Sequence, residues 1–217
     1  MNLTDSELKQ KIEDFVYRVF GNRKRKGGFE LYAEHSLRVG KNVREILSRF
    51  EKRFGVAMQD GDGRIITYAG YFHDILHDGK MEEDEIKKEM SKFASKEAVD
   101  YIILMMKILD RPKGGSFDVY FNRLMNLDSD VIILVKCAEM FDKLQRITAN
   151  YSCNGNGKVV WENLIKSVEQ YVLPMARKRK DLAEQRQDDD FQLAFAEIIY
   201  YLEKAVSDAR IDLLEFI

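Results

Sequence analysis

The sequence predicts an all-α, single-domain helical bundle, and three observations carry the prediction. Two prolines in 217 residues leave few enforced breaks in a helix. Apolar residues recur at three- and four-residue spacing through most segments, the period of a helix with one buried face. A composition of 45% hydrophobic and 33% charged residues supplies one core and a solvated surface at this length. The domain is expected to span residues 1–217, with its core at about 20–180 and a helical extension at about 175–217.

The first helix is expected to open at Thr4-Asp5-Ser6-Glu7, a capping signal, and to run through Ile12, Phe15, Val16, Val19 and Phe20 to Gly21-Asn22. A basic, glycine-containing loop, Arg23 to Gly28, leads to a second helix from about Glu30 to Phe54, with a core stripe of Val39, Val43, Ile46, Leu47 and Phe50. The turn Gln59 to Gly63 opens a third helix through Ile65, Ile66, Ala69 and Phe72 to about Leu76, stopping near Gly79. Further helices are expected at 82–92, 96–109, 117–125 and 130–149, with a loop at 111–115 between the second and third of these. Asp128-Ser129-Asp130 places carboxylates at the start of the last one, where they offset the helix dipole. A turn-rich break at 150–157 precedes a helix at 160–173 ended by Pro174, and a long helical tail runs from Met175 to the end. Within that tail, the basic run Arg177 to Lys180 followed by Asp188-Asp189-Asp190 reads as a solvated face or a helix junction.

Thirty-five basic against 37 acidic residues give a net charge of -2. No global field then favours nucleic acid or an anionic membrane, and any polyanion must be held locally. Cys137 and Cys153 form no CxxC pair and no disulfide framework, which fits a reducing cytoplasm. The charged N-terminus holds no signal-peptide core, and no run approaches the ~20 apolar residues of a membrane span. Self-association is left open.

All three histidines fall in two short segments, Tyr32 to Val39 and Tyr71 to Asp78. His35 stands one turn before Val39 and two before Val43, and His73 stands one turn after Ala69, so both point inward. An inward imidazole is either satisfied by a neighbour or is a ligand. Asp74 beside His73 favours the second role, because a buried carboxylate must be paired or must coordinate a cation. His35, His73 and Asp74, with one further acid and open water positions, compose a divalent-metal site. The further acid comes from the apolar segment Val131 to Leu144, where Glu139 or Asp142 interrupts the stripe. For each of these acids the bland alternative is a surface salt bridge.

This ordered set resembles the H…HD…D signature of the HD superfamily of metal-dependent phosphohydrolases. Within it, the chain is similar to the RelA/SpoT-type alarmone hydrolases. The HDxxED box of that branch resembles His73-Asp74-Ile75-Leu76-His77-Asp78, and its KLADRLxN segment resembles Lys136 to Lys143. Its RKxG loop resembles Arg25-Lys26-Gly27-Gly28, and its Tyr-x-Pro-x-Ala segment resembles Tyr171 to Ala176. His77 stands where that branch has Glu, Glu139 where it has the metal-binding Asp, and Lys143 where it has Asn.

The resemblance implies a phosphohydrolase acting on a nucleotide or other small phosphate ester, with a (p)ppGpp-like 3′-pyrophosphate the leading candidate. It implies a divalent ion, Mn²⁺ first, with Mg²⁺, Fe, Co²⁺ or Zn²⁺ compatible with the ligands. His35, His73, Asp74 and Glu139 (or Asp142) would hold it, and Asp78 with His77 would orient or deprotonate the attacking water. Arg25 and Lys26 are the expected phosphate ligands, with Arg38 and Lys136 behind them. Tyr120, Asn122 and Arg123 form a further polar and aromatic face. The rival expectation is a metal-binding but inactive regulatory module, with Phe191, Phe195, Ile198 and Ile199 turned to a protein partner.

Overall fold

The structure, a computed structural model, describes residues 5–25, 30–54, 62–79, 81–111, 115–150 and 156–215. The expected features at Lys26-Gly27-Gly28, Gln59 to Gly61, Pro112 to Gly114 and Tyr151 to Gly155 lie outside the described residues, as do Cys153 and the side chains of Phe50 and Ile65.

Among the described residues the elements are helical, and an isolated antiparallel bridge pairs Lys24 with Leu31. Helix α1 (Asp5–Phe20) buries Ile12, Phe15, Val16, Val19 and Phe20, the predicted stripe. It ends at Gly21, whose φ of 55° is the left-handed conformation that a glycine adopts at no steric cost. The bridge then takes up Glu30 and Leu31, so α2 (Tyr32–Phe54) starts two residues later than expected. Helix α3 (Asp62–Phe72) lies against α2 at close range. Ala69 is buried, and Gly70 fits against Gly40.

The expected helix running on to Leu76 is instead broken. Helix α3 stops at Phe72, His73 and Asp74 form a turn, and Asp74 caps the single-turn α4 (Ile75–Asp78). The cause is local. The His73 ring Nδ1 takes the carbonyl of Gly70 at 2.8 Å, the group a continuing helix offers to the amide of residue 74. His73 and His77 therefore do not share one continuous helical face.

Helices α5 (Glu83–Met90), α6 (Lys96–Leu109) and α7 (Phe117–Met125) follow as predicted, the first shorter by a residue or two at each end. Helix α8 (Asp130–Gln145) is buried nearly all round, its polar Lys136, Glu139 and Asp142 included, which marks a helix enclosed by others. It stops at Arg146 before the short α9 (Ile147–Asn150), where one helix to residue 149 is expected. Helix α10 (Asn156–Ser167) runs into a π-helical turn, Val168–Val172, and on into α11 (Leu173–Gln185), so Pro174 does not end the helix as expected but follows directly on the π turn, where the regular bonding pattern is already shifted.

The tail is not one helix. It breaks after α11, at Gln187 with φ of 59°, and resumes as α12 (Asp189–Glu215). The basic run before this junction is only partly solvated: Arg179 is buried and bonded to Asp128 and Asp130. Helix α12 packs against α11 and α8 and sends Phe195 and Ile198, both fully buried, into the main core, with Phe191 and Ile199 packed on its edge. The expected partner surface is thus the inside of the bundle. An apolar stripe needs a cover, and here the chain supplies its own. No described helix is long and apolar enough to cross a membrane.

Candidate metal centre

Helix α2 brings His35 and the α3–α4 turn brings His73 and Asp74 to one point. The two rings lie 5.2 Å apart at 76°. His35 is fully buried and His73 nearly so. Each ring has its Nδ1 engaged from behind: His35 with Asp142 Oδ2 at 2.7 Å, His73 with the Gly70 carbonyl at 2.8 Å. A ring whose Nδ1–H is donated to an oxygen presents an unprotonated Nε2 on its other side. Both Nε2 atoms are buried and make no well-formed hydrogen bond. They converge on the same oxygen, Asp74 Oδ2, at 3.6 and 3.2 Å. One ligand atom from each of the three residues lies within 4.8 Å of the others.

Two buried, lone-pair-bearing nitrogens aimed at a carboxylate are costly unless something positive sits between them. The electrostatics show a demand for positive charge beside Asp74. Burial pushes the His35 pKa down to about 4, with Arg25 adding to it. Burial also disfavours charge on His73, but Asp74 outweighs it and the net direction is up. Against the upward push of burial, His73, His35 and Lys143 hold Asp74 well below the usual carboxylate range. The donor set of two imidazoles and a carboxylate fits a divalent cation.

The two candidate acids of α8 do different things. Asp142 sits behind His35, and its other contacts are with Arg38 Nε at 2.7 Å and Nη2 at 3.0 Å. The His35 and Arg38 hydrogen bonds overcome burial and bring its pKa down to about 2. Glu139 lies in the cleft wall beside His73 and Asp74, its carboxylate bonded to Lys136 at 2.8 Å and also to Lys143. Lys136 and Lys143 outweigh the burial of Glu139 and lower its pKa. Lys136 is itself buried, 5.1 Å from the ring centre of Tyr120.

A cleft of about 900 Å³ opens over this point. His73, Asp74, His77, Asp78, Lys136 and Lys143 line it, together with the rings of Tyr120, Phe121 and Tyr171. Of the expected phosphate ligands, Arg25 lines the cleft and is bonded to Glu30 at 3.2 Å, and Lys136 lines it beside Glu139. Arg38 is not among the lining residues. Its guanidinium is consumed by Asp142 and Glu30, which removes it from the expected phosphate set. Lys26 lies outside the described residues. Tyr120 is buried with its hydroxyl donating to the Leu109 carbonyl, and Arg123 donates to the carbonyls of Ile108 and Asp110, so neither presents the expected polar face. Asp78 lines the cleft, and burial together with Asp74 raises its pKa. Sequence reasoning missed Asp110, Arg111 and Tyr32 in the lining; Tyr32 stands one turn before His35 on α2, a signal that helical phase offered, whereas Asp110 and Arg111 follow the end of α6.

A model of the HD domain matches residues 32–146, which run from α2 through α8 and include His35, His73, Asp74, Glu139 and Asp142. The chain belongs to that family, whose domains bind divalent metals and act in general as metal-dependent phosphohydrolases. No curated protein matches the chain.

Proposed function

We propose that the protein is a metal-dependent phosphohydrolase acting on a nucleotide or small phosphate ester, with a (p)ppGpp-like 3′-pyrophosphate the leading substrate. The observation that supports it most is the pair of buried, unpartnered Nε2 atoms of His35 and His73 beside Asp74, with His73 and Asp74 lining an open cleft. His35, His73 and Asp74 would hold the ion, with Glu139 as the fourth ligand because it faces the cleft while Asp142 stands behind His35. The chemistry such an ion, Mn²⁺ first, would supply is a lowered pKa for bound water and polarisation of a phosphoryl oxygen.

The chain's own residues supply the rest. Asp142 and the Gly70 carbonyl fix both imidazoles in the tautomer that leaves Nε2 as the ligand atom. Asp78, a carboxylate with a raised pKa, is suited to accept a proton from the attacking water. His77, on the same short helix, is the proton donor for the leaving oxygen. Lys136, Lys143 and Arg25 supply positive charge along the cleft for the phosphate groups.

The test is hydrolysis of a panel of nucleotides, including guanosine 3′-pyrophosphates, with Mn²⁺ and with the metal chelated. Turnover that requires metal and is abolished in His73→Ala supports the assignment. Absence of turnover across the panel by fully metal-loaded protein would contradict it.

A further inference from the structure

The acid pair His77–Asp78 comes from the segment after the metal dipeptide, but one neighbour of His77 comes from elsewhere. Asp110 caps the C-terminus of α6, and its Oδ1 lies 3.5 Å from His77 Nδ1. That Oδ1 is shielded from solvent and has no hydrogen-bond partner. The Asp110 side chain is otherwise 40% exposed, so water can serve its other oxygen, and among the described residues the ring nitrogen that faces the shielded Oδ1 is His77 Nδ1. The backbone of Asp110 is held in place. Its amide donates to the Met106 carbonyl at 3.0 Å, and its carbonyl accepts from Arg123 at 3.3 Å. Both residues line the cleft that holds His73, Asp74 and Asp78.

From this juxtaposition we infer that Asp110 is a positioning residue for His77: its carboxylate takes the Nδ1–H and leaves Nε2 as the atom that exchanges a proton with the substrate. The inference rests on the proposed reaction. In that reaction the water oxygen bonds to phosphorus as its proton passes to Asp78. The phosphorus–ester oxygen bond breaks, its electron pair stays on the leaving oxygen, and that oxygen takes the proton from His77 Nε2. The ring is left neutral with its proton on Nδ1, held by Asp110, and the proton on Asp78 returns to Nε2 through solvent. The arrangement repeats the logic of the metal ligands beside it, where an oxygen behind each ring selects the working nitrogen.

The test is nitrogen NMR of the His77 ring in the full-length, metal-loaded protein at a pH where that ring is neutral. The wild type is expected to show the Nδ1–H tautomer. Asp110→Ala is expected to move it to Nε2–H, and Asp110→Asn, which keeps an acceptor oxygen, to restore it. With a guanosine 3′-pyrophosphate as substrate, Asp110→Ala should lower kcat by about tenfold or more with KM little changed. In a His77→Ala background the same change should have no further effect. An unchanged tautomer in Asp110→Ala, or losses that simply multiply in the double variant, would overturn the inference. If the wild type turns nothing over, the reading of the site fails, and the tautomer still decides whether Asp110 holds the ring.

Discussion

Gly40 and Gly70 meet where α2 crosses α3, so closely that a Cβ on Gly70 would stand 2.9 Å from the Gly40 Cα. Gly70 also supplies the carbonyl that holds the His73 ring, and His35 lies on α2 just over one turn before Gly40. The separation of the His35 and His73 rings is therefore set by a contact between two residues without side chains.

Gly70→Ala tests this. A helical alanine gains roughly 1 kcal/mol in propensity over glycine, but forcing a methyl against backbone costs about 1–3 kcal/mol. The steric term is expected to win. The variant should unfold at lower denaturant and bind divalent metal more weakly. A more stable variant with unchanged affinity would contradict the contact.

Asp142 is expected to act through His35. Asp142→Ala should leave metal bound but reduce affinity by roughly 10- to 100-fold, the range for a carboxylate that orients a ligating histidine. Isothermal titration with Mn²⁺ measures it. Complete loss of binding would make Asp142 the fourth ligand in place of Glu139.

Glu139→Gln keeps the shape and removes the charge that the two lysines share. As a ligand, Glu139 should cost about tenfold or more in metal affinity when neutralised, in the same titration. If it serves only to neutralise the lysines, affinity stays constant and folding stability alone declines.

The metal-free protein should lose stability in acid in two stages. The folded-state pKa of His35 is about 4, below its ordinary 6.5. Its contribution is complete above pH 6.5 and is lost as pH falls to 4, about 3 kcal/mol in all. Asp142, at about 2 against an ordinary 3.8, contributes above that value and loses about 2 kcal/mol as pH falls to 2. Denaturant midpoints in the presence of a chelator measure both. A His35 ring that titrates near 6.5 by NMR in the chelated protein would contradict its buried, neutral state.

The cluster of His35, His73 and Asp74 was legible because helical phase alone turns His35 and His73 inward, and Asp74 follows His73. The helix break at the dipeptide was not, because it depends on where the His73 ring finds an acceptor. Glu139 and Asp142 are both inward on α8, and only the packing decides which meets the cleft and which meets the back of His35. Arg38 and Arg179 read as solvated or substrate-binding cations because their acidic partners, Asp142 and Asp128 to Asp130, are distant in sequence. Phe195 and Ile198 form an apolar stripe whose cover no local pattern identifies.

The most direct test of the account is a crystal of the metal-loaded protein with anomalous data at the edge of the added ion. One peak within bonding distance of His35 Nε2, His73 Nε2 and an Asp74 oxygen, absent in a His73→Ala/Asp74→Ala variant, is the expected result. Ordered side chains at these three residues with no peak between them, under saturating metal, would contradict it.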